Sequence, residues 1–162
     1  MKLAILVLED EPEVRAALER DLLQFAPTVR IEPAESVADA REVMEEIEED
    51  GDVLALALCD HRMPGTTGVE FMVQMAAQPA TAETRKVLVT GQADLDDTVR
   101  AVNQAHLDHF ISKPWTPEEL EDVVRQQLTD YVIATGENPL PHLAALDQVR
   151  ALDYMRNFGR AD

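Results

Sequence analysis

Five side chains capable of chemistry stand at or just after the carboxyl ends of short apolar segments. Glu9 and Asp10 follow LAILVL, and Asp60 follows VLALALC. Thr90 ends KVLVT, and Lys113 follows DHFIS. Three neighbouring carboxylates repel one another unless a cation lies among them, and oxygen ligands of this kind suit Mg²⁺. A hydroxyl and an ammonium can bind phosphoryl oxygens, and a carboxylate held beside Mg²⁺ can attack phosphorus.

The elements that must position these side chains alternate regularly along the chain. Short apolar runs typical of strands buried on both faces occupy 3–8, 29–34, 53–59, 86–90 and 108–112. Amphipathic helical patterns occupy 12–25, 36–50, 68–78, 94–105 and 116–132, with Ser36 and Thr116 placed as N-caps. Strict alternation predicts a doubly wound α/β fold with a parallel sheet. In such a sheet the site lies beyond the carboxyl ends of the strands, where these five residues fall.

Length and composition limit the possible function. The chain has 162 residues, a formal net charge of −18 and 46% hydrophobic residues. We therefore expect one main domain that binds neither nucleic acid directly nor an anionic membrane, because both require clustered Lys and Arg. No apolar run approaches the ~20 residues of a membrane span. The single Cys59 excludes an internal disulfide and suits a reducing cytoplasm.

Four stretches together carry a family resemblance: ILVLEDEP, LALCDHRMPGTTGVEF, VLVTGQAD and HFISKPW. In this order and spacing they resemble the signatures of the response-regulator receiver domain of two-component signalling, over residues 3–130. The resemblance implies a flavodoxin-like (βα)5 fold with strand order 2-1-3-4-5. It implies a receiver domain at 1–130, followed by a helical C-terminal extension at 131–162.

The resemblance also implies an acceptor and a metal site. Asp60 corresponds to the phosphoacceptor, and Glu9 and Asp10 to the acidic pair that holds Mg²⁺ together with it. The backbone carbonyl of Arg62 corresponds to a further ligand. Glu9 departs from the commoner Asp, and its longer side chain could reach Mg²⁺ through water.

Further residues match the part of the family site that senses the phosphoryl group. Thr90 matches the switch hydroxyl and Lys113 the phosphate-contacting lysine. Phe110 matches the switch aromatic, where the family more often has Tyr. The family usually has a cis bond before the proline that follows this lysine, here Lys113–Pro114.

These matches predict a protein that takes a phosphoryl group from a sensor histidine kinase or phosphotransfer protein and passes the change to an unknown output protein. One alternative is a phosphatase or hydrolase that passes through an aspartyl phosphate, but such enzymes typically carry a second Asp where this chain has Arg62. Another alternative is a structural adaptor with an unused pocket. We expect no chemical role for the two neighbours of the acceptor. Cys59 should be a small buried hydrophobic residue, and the side chain of His61 should point away from Asp60.

The C-terminal segment follows the completed alternation. Its pattern predicts a helix from about 140 to 158 that ends at Gly159, with a wide apolar arc. His142 lies on the narrower polar side of this projection, and Leu146 intrudes there. The segment either caps its own receiver or pairs with a second chain or an output partner, and we expect a homodimer formed through 139–158.

Overall fold

The computed structural model describes the backbone of residues 1–91 and 95–158, and all of their side chains except those of residues 95 and 158. Five parallel strands form one sheet in the order β2-β1-β3-β4-β5. The strands are β1 Leu3–Leu8, β2 Val29–Ala34, β3 Val53–Cys59, β4 Arg85–Thr90 and β5 His109–Ser112. The predicted strand order is therefore confirmed.

Helices cover both faces of the sheet, as the alternation predicted. They are α1 Pro12–Asp21, α2 Val37–Glu49, α3 Gly68–Ala77, α4 Leu95–Gln104, α5 Pro117–Thr135 and α6 Gln148–Phe158, with 3₁₀ segments at Leu23–Phe25 and Leu140–Ala145. One apolar cluster packs α1 and α5 on one face, and a second packs α2, α3 and α4 on the other. All six residues of β1 are buried, as expected for a central strand between two helical layers.

Side chains at the helix starts fix where several helices begin. The Oγ of Ser36 accepts a hydrogen bond from the backbone N–H of Asp39, and Thr116 caps α5 in the same way. Both predicted N-caps are thus confirmed. At the start of α3, Thr67 and Glu70 form a complete capping box, in which each side chain accepts a hydrogen bond from the backbone N–H of the other residue. It fixes the first turn of the helix that follows Asp60.

The C-terminal segment is not the single helix predicted over 140–158. A 3₁₀ segment ends at Ala145, and α6 begins only at Gln148. Between them Leu146 turns into the core, where it is 1% exposed. The Oδ1 of Asp147 then accepts a hydrogen bond from the backbone N–H of Arg150 and caps the new helix. The predicted end at Gly159, like the predicted start of α4 at residue 94, lies outside the described residues.

This segment packs on its own receiver. Ala145, Leu146 and Ala151 join the apolar cluster of α1 and α5. His142, predicted on the polar side, is also buried, because the break in the helix reorients the first turn of the segment. The boundary predicted at 130 falls inside α5, which continues to Thr135. The predicted homodimer stays a prediction.

Polar contacts from α5 hold the segment in place. Arg125 donates hydrogen bonds to the backbone carbonyls of Ala144 and Leu146. Thr129 accepts a hydrogen bond of 2.9 Å from the backbone N–H of Asp147. These bonds satisfy carbonyls and an N–H that the break between the two helices leaves without helical partners.

Two further features concern the chain as a whole. No helix in the described ranges has the length and apolarity that crossing a membrane requires. Lys86 of β4 is only 1% exposed, and its Nζ donates to the carbonyls of Ala82 and Thr84 at 3.2 and 2.8 Å. Burial lowers the pKa of this ammonium.

Candidate functional site

The three carboxylates predicted to meet do so at the carboxyl edge of the sheet. Glu9 and Asp10 leave β1, and Asp60 leaves the adjacent β3. One oxygen from each of the three lies within 4.8 Å of the others. Glu9 is fully buried and Asp60 is 5% exposed, so little solvent screens their charges. The cluster is the centre of the site.

Lys113 supplies the positive charge facing this cluster. Its Nζ donates to the Oε2 of Glu9 at 2.8 Å and lies 3.4 Å from the Oδ2 of Asp60. The Lys113–Pro114 peptide bond is cis, as the resemblance implied. The backbone N–H of Lys113 donates to the carbonyl of Thr90 at 3.0 Å, which joins the ends of β5 and β4. The site thus draws on four strands.

Burial and pairing perturb the two charges that touch. The pKa of Glu9 is raised, because burial of the carboxylate outweighs its hydrogen bond from Lys113 and its bond from the N–H of Glu11. For Lys113 burial acts to lower the pKa, but the bond to Glu9 and the nearby charge of Asp60 prevail, so the pKa is raised. The lysine is therefore held as the ammonium form.

The donor set fits a magnesium ion. It consists of three carboxylates, the hard oxygen ligands that Mg²⁺ prefers. The Oδ1 of Asp10 is buried and has no hydrogen-bond partner among the described residues. A buried carboxylate oxygen without a partner is costly unless a cation or ordered water takes its lone pairs. Glu9, Asp10 and Asp60 are the residues that would hold the ion.

The remaining predicted site residues lie around this centre. Thr90 ends β4 and is 2% exposed. Phe110 is partly buried and packs against the cluster of α2, α3 and α4. Arg62 follows Asp60 in the loop after β3, with an exposed side chain. Thr90 and Arg62 thus lie at or after the carboxyl ends of β4 and β3, and Phe110 lies within the edge strand β5. The switch roles and the carbonyl ligand stay predictions.

Two contacts at the site had not been predicted. Arg15 of α1 donates from Nη1 to the backbone carbonyl of Glu9 at 2.9 Å and ties α1 to the acidic loop. Gly68 packs against the backbone of Asp60 so closely that a Cβ on it would lie 1.8 Å from the carbonyl oxygen of Asp60. A Gly eight positions after the acceptor was the available sequence evidence for this contact, but spacing alone does not reveal a backbone approach.

The neighbours of the acceptor point away from it. The Nε2 of His61 lies 3.0 Å from the Oδ2 of Asp97 in the first turn of α4. His61 thus contacts α4 rather than Asp60, as predicted. Cys59 is fully buried, and burial raises the pKa of its thiol to about 12, which agrees with a small buried hydrophobe.

Comparisons with known proteins agree with this geometry. The chain is 34% identical over 122 residues to the hydrogenase transcriptional regulatory protein HoxA of Cupriavidus necator, covering 75% of this chain and 23% of that protein. It is 25% identical to the response regulator Rre1 of a Synechocystis strain, covering 78% of this chain and 52% of the relative. The chain thus spans from about a quarter to about half the length of these relatives.

Solved structures show the same fold. A CheY-like response regulator receiver domain from Methanospirillum hungatei superposes with a TM-score of 0.69 at 23% identity, over 81% of this chain and 97% of that chain. The family model described as the response regulator receiver domain matches residues 5–125. That match includes every residue of the acidic cluster, the lysine and the switch positions. The chain therefore belongs to the response regulator receiver domain family.

Proposed function

We propose that the chain accepts a phosphoryl group on Asp60 from a phosphohistidine of a sensor histidine kinase or phosphotransfer protein. The observation that carries the proposal is the arrangement around this carboxylate. Asp60 lies 3.4 Å from the ammonium of Lys113 and shares a cluster with Asp10, whose buried Oδ1 has no hydrogen-bond partner within residues 1–91 and 95–158. Lys113, together with a cation bound by the acidic cluster, would offset the negative charge that a phosphoryl group adds.

In the transfer step an oxygen of the Asp60 carboxylate attacks phosphorus. The bond from phosphorus to the histidine nitrogen breaks, and its electron pair stays on the imidazole. Lys113 then moves its hydrogen bond from Glu9 to an oxygen of the phosphoryl group. In slow self-hydrolysis water attacks phosphorus and the bond to Asp60 breaks, which yields the free carboxylate and inorganic phosphate.

Magnesium bound by Glu9, Asp10 and Asp60 would neutralise charge on the phosphoryl oxygens. The residues of the chain supply the rest. Lys113 stays charged because Glu9 and Asp60 hold it in that form. Rigid strand ends keep the acceptor in position, since Asp60 donates its backbone N–H to the carbonyl of Leu8 at 3.0 Å.

The proposed signal is a change in protein contacts. Thr90 moves toward the phosphoryl group, and Phe110 turns into the space that Thr90 leaves, altering the surface of β4, β5 and their helices. We place this event in the cytoplasm, in keeping with one reduced, buried cysteine. The output protein receives the altered surface.

Intact-mass spectrometry after incubation with acetyl phosphate tests the acceptor. With Mg²⁺ present the chain should gain one phosphoryl group, and Asp60→Asn should gain none. Asp122→Asn, an exposed aspartate on α5, is the matched control and should label normally. Chelation of Mg²⁺ should stop labelling of the original chain.

Undiminished labelling of Asp60→Asn would refute the acceptor. Labelling that is equal with and without Mg²⁺ would refute the metal requirement while leaving the acceptor intact. A chain that acetyl phosphate does not label but that binds a partner through the same edge of the sheet would instead support the adaptor.

A further inference from the structure

The α2–α3 groove lies between two helices that the proposed phosphotransfer does not use. α3 packs along α4, whereas between α2 and α3 the surface opens into a groove of about 520 Å³. It reaches the amino-terminal end of β3, away from the acidic cluster that gathers at the carboxyl end. Among its lining residues are Met44, Leu54, Phe71, Met75, Glu45 and Glu48.

The floor of the groove is apolar. Phe71 and Met75 of α3 are buried, while Met44 and Leu54 are partly exposed within the same apolar cluster. Two methionine side chains give this floor an adaptable shape, because the unbranched thioether fits irregular partners. A volume of this size has room for a few large side chains of a ligand. The floor thus favours an apolar occupant.

The rim on the α2 side is acidic. Glu45 and Glu48 line the groove and are exposed, and their side chains have no ion pair or hydrogen bond in the part of the chain that the structure describes. The cation on this rim, Arg41, donates to the Oε1 of Gln74 across the groove and keeps its charge. Two carboxylates against one guanidinium leave the rim with a net negative charge toward an occupant.

The apolar floor and the acidic rim of the α2–α3 groove together determine which kind of molecule can bind there. A second copy of this chain is disfavoured at this groove, because an acidic rim repels a partner surface of a chain with a net charge of −18. The C-terminal segment of the same chain packs on α5 instead. We propose that the α2–α3 groove is a docking site for a basic amphipathic helix of a partner protein. Its apolar face lies on Met44 and Leu54, and its Lys or Arg side chains pair with Glu45 and Glu48.

The test uses the full chain and a synthetic helix. The probe is a fluorescent peptide of about 18 residues, roughly 27 Å long as a helix, with leucines on one face and lysines on the other. Fluorescence anisotropy at physiological salt measures its Kd. A peptide of identical composition with the leucines scattered around the helix separates amphipathic docking from charge attraction.

Glu45→Lys with Glu48→Lys should weaken peptide binding about tenfold or more, since two attractive pairs become repulsive. Glu118→Lys with Asp122→Lys makes the same charge change on exposed residues of α5 and should weaken binding less than about threefold. Glu45→Gln with Glu48→Gln replaces the reversal pair if that variant does not fold. The scattered peptide should bind about tenfold more weakly than the amphipathic one.

Equal weakening by the two charge-reversal pairs would overturn the proposal, because it would show attraction to net charge alone. Equal affinity of the two peptides would overturn it as well. Neither outcome bears on Asp60, so failure here leaves the proposed phosphotransfer standing.

Discussion

Replacing Lys113 by Met tests whether the lysine is what makes the buried Glu9 tolerable. Met keeps most of the side-chain length but removes the donor 2.8 Å from the Oε2 of Glu9. Glu9 is fully buried and retains a hydrogen bond of 3.2 Å from the N–H of Glu11. Removing one partner of a buried ion pair leaves a charge without compensation, which destabilises the fold.

The loss of unfolding free energy caused by Lys113→Met has an upper limit, because Glu9 can become neutral by taking up a proton. From its ordinary pKa of 4.5, protonation at pH 7 costs about 3.4 kcal/mol, at about 1.36 kcal/mol per pH unit. Burial already raises the pKa of Glu9 in the original chain and uses part of this upper limit. We therefore expect Lys113→Met to lower the free energy of unfolding by about 2 kcal/mol at pH 7.

The loss should shrink in acid. A group whose pKa is raised by folding destabilises the fold as the pH rises above its unfolded value, here 4.5. At pH 5 the upper limit falls to about 0.7 kcal/mol. Urea denaturation in Mg²⁺-free buffer at both pH values measures this difference. The same Lys113→Met change in a Glu9→Gln background should cost less than about 1 kcal/mol.

An equal loss at pH 7 and pH 5 would refute the reasoning, since the penalty would not then come from an ionised Glu9. An undiminished loss in the Glu9→Gln background would do the same and would assign the effect to the packing of the lysine stem.

Three further predictions follow from burial. Leu146→Ala should lower the free energy of unfolding by about 2–3 kcal/mol, because Leu146 is buried. Leu152→Ala should lower it by less than about 0.5 kcal/mol, because Leu152 is 43% exposed. Urea denaturation measures both losses, and equal losses would contradict the packing of the C-terminal segment on its own receiver. Gly68→Ala should lower the free energy of unfolding by about 2 kcal/mol or more, because the added Cβ meets the backbone carbonyl of Asp60. The same clash should slow labelling of Asp60 by acetyl phosphate. Unchanged labelling would show that α3 moves freely. Burial lowers the pKa of His142, so the unfolded chain takes up a proton on this residue first, and the stability of the fold should decrease as the pH drops below about 6.5. In thermal unfolding, His142→Gln should lose less stability between pH 7 and pH 5.5 than the original chain does. An equal loss would exclude His142 as the cause.

The centre of the site was predictable because it depends on topology rather than on detailed packing. Glu9, Asp10, Asp60 and Lys113 each follow a strand of the sheet, and parallel strands bring their carboxyl ends to one edge. The fold and strand order came from the alternation together with the four stretches that resemble the family. The distances within the cluster, which decide that Lys113 bonds Glu9 most closely, had to be observed.

The C-terminal segment was less predictable for a specific reason. A continuous 3.6-residue projection put Leu146 and His142 on the polar side, but a break at Leu146 and Asp147 reorients everything before it. The break is stable because Arg125 and Thr129 bond the backbone groups it exposes. Such long-range partners leave no periodic pattern in the sequence.

The buried Lys86 gives the site a chemical reporter. The chain has three lysines, at positions 2, 86 and 113. Lys86 is buried and its ammonium donates to two backbone carbonyls. Of the three lysine side chains, an acylating reagent can therefore reach Lys2, which is exposed, and Lys113, whose side chain is 19% exposed. Lys2 serves as an internal standard in the same molecule. The ratio of acylation at Lys113 to that at Lys2 therefore measures how firmly the acidic cluster holds the ammonium of Lys113. The ratio changes whenever a cation or a phosphoryl group enters or leaves the site, and no engineered probe is needed.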